Sequence, residues 1–257
     1  MVRLVDGKAV AARVYASLRG ERPLTLGILI VGSDTVTDAF VRAKERAAAG
    51  IGVTVLRASV PETASTNQVI AALNELSADV DGLIVQLPLP SNVDTDAVLG
   101  ALPPEKDVDG ISPHPLVRPP VAEAVNEIVR ESGVATKGLR AVVVGAGRLV
   151  GQPAARLLET LECTVTVLQK GDSLDSLSDA DIIVSGAGQP GMITPEHVKP
   201  GAIIIDAGTS ESSGKVVGDA DPRCAEKCSI FTPVPGGVGP IAVAMIFKNL
   251  FELANRS

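Results

Sequence analysis

The residues best suited to chemistry fall in a few short segments. The first is Gly145-Ala146-Gly147-Arg148-Leu149-Val150-Gly151, a glycine turn that follows the apolar run Ala141-Val142-Val143-Val144 and precedes a helical pattern. Strand, glycine turn and helix in that order leave backbone N–H groups free at a helix N-terminus. There, hydrogen bonds and the helix dipole together stabilise a pyrophosphate. The spacing G-x-G-x-x-x-G is one residue longer than the common dinucleotide fingerprint, and a structural tight turn is the other account of it. About twenty residues on, where an NAD enzyme places an acid for the ribose hydroxyls, the next strand ends in Gln169-Lys170-Gly171. No carboxylate there repels a 2′-phosphate, and Lys170 and Arg148 are cations able to attract one. Cations resting in solvent are the alternative.

Phe40 and Lys44 stand four residues apart, on one face of a predicted helix. Spacing alone favours a solvated lysine. Gln86 sits at the carboxyl end of a predicted strand, 82–86, where ligands of open α/β sheets bind. Lys106-Asp107-Val108-Asp109-Gly110 puts two carboxylates in a proline-rich segment, either at a site or in a surface turn. Thr232-Pro233-Val234-Pro235-Gly236-Gly237-Val238-Gly239-Pro240 is too rich in glycine and proline for core. Such a stretch is a plain turn or a place where backbone approaches a ligand.

The elements that must position these residues alternate along the whole chain. Apolar runs at 26–31, 53–56, 82–86, 141–144, 165–168, 182–185 and 203–206 read as strands. Between them, Val10, Val14 and Leu18, a helix through Lys44, then Val69, Ile70 and Leu73, and Val121, Val125, Ile128 and Val129 carry helical spacing, and 241–253 forms a last apolar helix. This alternation predicts an α/β protein with parallel strands. With no Trp, one Tyr and four Phe, the aliphatic residues must fill the core, as suits a parallel sheet covered by helices. Six prolines from Pro103 to Pro120 interrupt regular structure, so the domain junction is expected there. The expected division is 1–115 with 240–257 for one domain and 116–239 for the other.

Composition excludes several classes. The 257 residues suffice for one large or two modest domains, and 46% hydrophobic content excludes disorder as the main state. A net charge of -7 argues against a nucleic-acid partner. Three cysteines and two histidines are too few for a structural zinc site, and no metal is expected. Apolar runs are too short to span a bilayer. The first residues reach Asp6 and Gly7 before any signal-peptide core develops, so a cytoplasmic protein is expected. The absence of a G-x-S-x-G elbow argues against a serine hydrolase.

Together the segments resemble the bifunctional methylenetetrahydrofolate dehydrogenase/methenyltetrahydrofolate cyclohydrolase family, from Asp6-Gly7-Lys8 to the last helix. The match is carried by Val31-Gly32-Ser33 with Phe40-Val41 and Lys44, Asp81-Gly82 through Val85-Gln86-Leu87-Pro88-Leu89-Pro90, Lys106-Asp107-Val108-Asp109-Gly110, Val150-Gly151-Gln152-Pro153 and residues 232–240, in the family's order. The resemblance implies an N-terminal α/β catalytic domain, a Rossmann-type dinucleotide-binding domain with a parallel sheet, and a folate cleft between them. It also implies NADP as cofactor, tetrahydrofolate substrates and a cytoplasmic homodimer with no nucleic-acid or membrane partner. It makes Lys44 the catalytic lysine, Gln86 its partner and Asp109 the pterin anchor. Phe40, Pro235, Gly236 and Gly237 then contribute to substrate binding, and Gly145, Gly147, Arg148, Gly151 and Lys170 to cofactor binding.

Three departures stand out. Phe40 replaces the family's usual tyrosine. The stretch between Gly110 and Arg118 is shorter by about a loop and leads into Pro119-Pro120-Val121-Ala122 instead of Pro-Cys-Thr-Pro. Ala242 replaces a usual threonine. The expected reaction is NADP-linked oxidation of methylenetetrahydrofolate, with hydrolysis of the methenyl product to formyltetrahydrofolate. The alternatives are a monofunctional dehydrogenase and a non-catalytic folate- or nucleotide-binding protein. Retention of Lys44, Gln86 and Asp109 together speaks against the latter.

Overall fold

A computed structural model of the chain describes residues 2–18, 22–32, 35–212 and 215–256. Ser33 of the Val31-Gly32-Ser33 motif lies outside the described residues. In chain order the elements are β1 (Arg3–Leu4), α1 (Gly7–Ser17), β2 (Thr25–Val31), α2 (Thr35–Gly50), β3 (Thr54–Val60), α3 (Thr66–Ala78), β4 (Gly82–Val85), α4 (Thr95–Gly100), α5 (Pro120–Ser132), β5 (Arg140–Val144), α6 (Gly151–Thr160), β6 (Thr164–Leu168), β7 (Ile182–Ser185), β8 (Ile203–Asp206), β9 (Ser210–Ser212), β10 (Lys215–Val217), β11 (Ile230–Phe231) and α7 (Val238–Ala254). Two compact units result, Arg13–Pro120 with Val243–Ser257, and Met1–Ala12 with Val121–Ala242. No helix among the described residues is long and apolar enough to cross a membrane.

The first of these units is built on a parallel sheet of order β3-β2-β4. Its centre, β2, reads Thr-Leu-Gly-Ile-Leu-Ile-Val and is apolar on both faces because both are covered. Leu26, Ile28 and Ile30 pack with Val41 and Ala48 of α2 and with Phe247 and Leu250 of α7. Leu29 and Val31 point the other way, onto Val69, Leu73 and Leu76 of α3. Ser65 and Gln68 form a reciprocal capping box that fixes where α3 starts. The proline-rich segment belongs wholly to this unit. Val108 and Val117 are in its core, and Leu83 N donates to Lys106 O at 2.6 Å. The expected junction inside 103–120 therefore moves to its end.

The second unit carries a parallel sheet of order β1-β11-β8-β7-β5-β6. Chain order reverses direction at β5, which has β6 on one side and β7 on the other, so the crevice at the carboxyl ends of β5 and β7 is the sheet's switch point. The strands at 182–185 and 203–206 lie where their apolar runs predicted. Three features depart from expectation. Residues 1–12 group with this unit instead of with residues 13–115, because β1 pairs with β11 through Arg3↔Ile230 and Leu4↔Phe231. β9 and β10 form an antiparallel hairpin in an otherwise parallel protein. Val238, Gly239 and Pro240 begin α7 instead of closing the preceding turn, since a helix tolerates proline in its first turn.

Candidate active site

Lys44 sits on α2 and Gln86 directly follows β4, whose pairing with the central β2 continues as Gln86 N donating to Leu29 O at 2.9 Å. The Gln86 side chain is oriented from both ends. Its Nε2 donates to Leu87 O at 2.9 Å, which turns Oε1 toward Lys44, and Lys44 Nζ donates to Oε1 at 2.8 Å. Lys44 is 9% exposed. Loss of water around the ammonium lowers its pKa, and the charge of Asp109 pulls it partly back up. The solvated lysine that spacing favoured is thus replaced by a buried one with a fixed partner.

Asp109 lies in the turn after residues 103–108. Desolvation pushes its pKa up to about 6, with Lys44 lowering it and Asp107 raising it. No described residue hydrogen-bonds to its carboxylate, so its acceptor sites remain available to a ligand. Asp107 is different: it is fully buried, and its Oδ2 accepts from Ser112 N at 2.7 Å. It shapes the turn through that bond, and its Oδ1 is buried with no hydrogen-bond partner among the described residues. Gly110 closes the turn at φ +62°, where a Cβ would stand 2.6 Å from Val117 O. Phe40, one helical turn before Lys44, is 44% exposed and presents an apolar ring at the surface.

The glycine turn follows β5 in the other unit. Gly145 has φ +95°, and a Cβ on Gly151 would stand 1.8 Å from Gly145 O, so backbone closes on backbone with no room for a side chain. Val150 caps α6 with no side-chain hydrogen bond, Gln152 N donates to Gly147 O at 3.1 Å, and Pro153 has no N–H, so in the first three residues of the helix only the Gly151 N–H is left for an external acceptor. This cradle suits a pyrophosphate. Gly147 and Arg148 are exposed in the turn. Lys170 is exposed beyond the end of β6, and Gly145 N donates to Leu168 O at 2.8 Å, so the two strand ends are neighbours. Pro235, Gly236 and Gly237 belong to the same unit as the glycine turn. Gly236 has φ +105°, and a Cβ on Gly7 would stand 1.9 Å from Gly237 O, so this loop packs tightly against the start of α1.

Five buried polar residues were not singled out from sequence: Ser112, Ser185 and the three that follow. Asp206 ends the run Ile203-Ile204-Ile205, Asp219 sits between Gly218 and Ala220, and Asn249 interrupts the apolar α7. A polar residue inside an apolar pattern is the only signal the sequence carries for these last three.

Two family models match the chain, meeting near the boundary at Pro120 but assigning residues 5–12 and 243–257 by chain order and not by contact unit. Residues 5–109 match the family model described as tetrahydrofolate dehydrogenase/cyclohydrolase, catalytic domain, and residues 119–257 match its NAD(P)-binding domain. The bifunctional protein FolD of Methanospirillum hungatei is 39% identical over 98% of this chain and 97% of its own length. Among solved structures, the Campylobacter jejuni FolD methylenetetrahydrofolate dehydrogenase/cyclohydrolase superposes with a TM-score of 0.93 at 31% identity, covering 100% of this chain and 99% of that one. The Trypanosoma brucei N5,N10-methylenetetrahydrofolate dehydrogenase-cyclohydrolase, solved with NADP and an inhibitor, gives 0.92 at 33% identity, covering 99% and 98%.

Proposed function

This chain belongs to the tetrahydrofolate dehydrogenase/cyclohydrolase family, and we propose that Lys44, Gln86 and Asp109 carry its two reactions on tetrahydrofolate substrates. The reactions are oxidation of methylenetetrahydrofolate to the methenyl form with NADP, and hydrolysis of the methenyl form to formyltetrahydrofolate. The observation that carries the reading is the Lys44–Gln86 contact at 2.8 Å beside an Asp109 carboxylate free of protein donors.

Each residue has a physical task. The Asp109 carboxylate accepts from the amino and ring N–H groups of the pterin, a two-point clamp that fixes the ring. Phe40 offers the ring an apolar face. Lys44, its proton affinity reduced by burial, takes a proton from the water that attacks the methenyl carbon, and Gln86 holds the amine in place for it. The oxidation asks less of a proton carrier and more of alignment. Gly145, Gly147 and Gly151 would hold the pyrophosphate of NADP, and Lys170 and Arg148 would meet its 2′-phosphate. When bound, NADP supplies the hydride acceptor.

The same reading places Pro235, Gly236 and Gly237 against the substrate and makes the protein a cytoplasmic homodimer that binds no nucleic acid. The family resemblance and the net charge of -7 support this. The division into a catalytic domain and a dinucleotide-binding domain is supported by the two contact units and the two family matches.

The deciding experiment is Lys44→Met with both activities followed separately. Hydrolysis should fall by roughly 100-fold or more, the usual range for losing an acid–base group, while hydride transfer stays measurable. Retained hydrolysis would remove Lys44 from the proposal.

A further inference from the structure

Asp219 is wholly buried in the segment between β10 and β11. Among the described residues no cation pairs with it. Four donors meet its charge instead: Ser185 Oγ at 2.6 Å, Ala187 N at 2.8 Å and Gly188 N at 3.3 Å reach Oδ2, and Gln189 N at 2.7 Å reaches Oδ1. All four come from the last residue of β7 and the loop that follows it. That loop borders the switch point. Gly186 N donates to Val144 O at 2.9 Å, and a Cβ on Gly186 would stand 2.3 Å from Val150 Cγ1. From the other side, a Cβ on Gly145 would stand 2.9 Å from Gly186 O. The loop at 186–189 and the glycine turn at 145–151 therefore press on each other with no slack. The loop after β8 is packed on the same carboxylate, since a Cβ on Gly208 would stand 2.3 Å from Asp219 Cγ.

We propose that Asp219 is a positioning residue for the nicotinamide cofactor: by drawing the N–H groups of residues 187–189 inward, it sets the backbone wall against which the glycine turn is held. This rests on the reading that residues 145–151 bind the dinucleotide. Chemistry explains why the residue is an acid. The four groups that hydrogen-bond to it are all donors and reach both oxygens, even though the Asp206 carboxylate lies close enough to interact with its charge, and only a carboxylate offers acceptors on both oxygens. An asparagine would aim an NH2 group at a backbone N–H, donor against donor. Burying a carboxylate is unfavourable, and apolar packing alone would hold the loop in place without that cost. What the carboxylate adds is a defined direction for three successive N–H groups.

The test uses the hydrolytic reaction as an internal control, because it needs no nicotinamide. In Asp219→Asn, KM for NADP should rise about tenfold or more, with hydrolysis kept within about twofold of the parent. Ser185→Ala, which removes one of the four donors, should shift KM for NADP in the same direction by about two- to threefold. Gly151→Ala tests the location of the cofactor independently and should raise KM for NADP whatever Asp219 does. A raised KM in Gly151→Ala with unchanged values in Asp219→Asn and Ser185→Ala overturns the role of Asp219. An unchanged KM in Gly151→Ala overturns the location itself. Parallel loss of both activities in folded Asp219→Asn makes the residue generally structural and overturns the proposal. Should Asp219→Asn fail to fold, Ser185→Ala decides by the same criterion.

Discussion

Asn249 is 2% exposed on α7, and its single Nδ2 donates to Val108 O at 2.8 Å and to Arg118 O at 2.9 Å. One amide thus ties together the two ends of the segment that carries Asp109. Asn249→Leu keeps the branching of the side chain and removes both donors. A buried carbonyl left without a partner costs about 1–3 kcal/mol, and the second, partly reached by water, costs less, so the variant should lose roughly 2–4 kcal/mol. At roughly 2–4 °C per kcal/mol, the thermal midpoint should fall by roughly 4–16 °C. Because Val108 directly precedes Asp109, loosening this staple also lets the anchor drift. A misalignment costing about 1.4 kcal/mol of pterin binding raises KM for the folate about tenfold. Urea titration gives the stability change, and initial rates with each substrate varied in turn give the two KM values. A loss below about 0.5 kcal/mol, the level of a neutral surface change, would refute the staple. An equal rise in both KM values would refute the link to Asp109.

Lys170→Glu should weaken NADP by about tenfold or more while leaving NAD nearly unchanged, because a carboxylate would then face the 2′-phosphate; equal losses for both cofactors, measured as KM, would remove Lys170 from the cofactor site. Phe40→Tyr should raise hydrolysis selectively, by up to about 1 kcal/mol if one hydrogen bond is gained near Lys44 or the attacking water. No selective gain over the dehydrogenase rate would mean that position 40 serves only as an apolar face. Stability should rise as pH falls from 7.5 to 5. Burial, and next the charge of Asp219, raise the Asp206 pKa from 3.8 to about 6, so the native state holds a proton in a range where the unfolded chain has lost it. The gain from this group is roughly 1 kcal/mol over that interval. Asp109, also raised to about 6, acts in the same direction. A denaturant midpoint that falls between pH 7.5 and 5 would contradict both assignments.

The α/β class, most of the strands and the glycine turn were legible in the amino-acid order because each depends on neighbours along the chain. A parallel strand buried on both faces must be a short apolar run, and a turn that closes backbone on backbone must use glycine, as at Gly145 and Gly151. Motif order even carried the resemblance that named Lys44, Gln86 and Asp109. What the linear order left open was which residues meet. β1 and β11 are only two residues each and exist through their pairing, so residues 1–12 could not be assigned to their unit from pattern alone. Spacing alone favoured a solvated Lys44, and only folding set it 2.8 Å from Gln86, a residue 42 positions away. Likewise Asp107 and Asp109 share one short motif, yet Asp107 was turned inward onto Ser112 N and Asp109 was left free of protein donors. Burial and long-range hydrogen bonding belong to no local segment. They are settled when the sheet and its covering helices close around a side chain and decide which of its partners remain within reach.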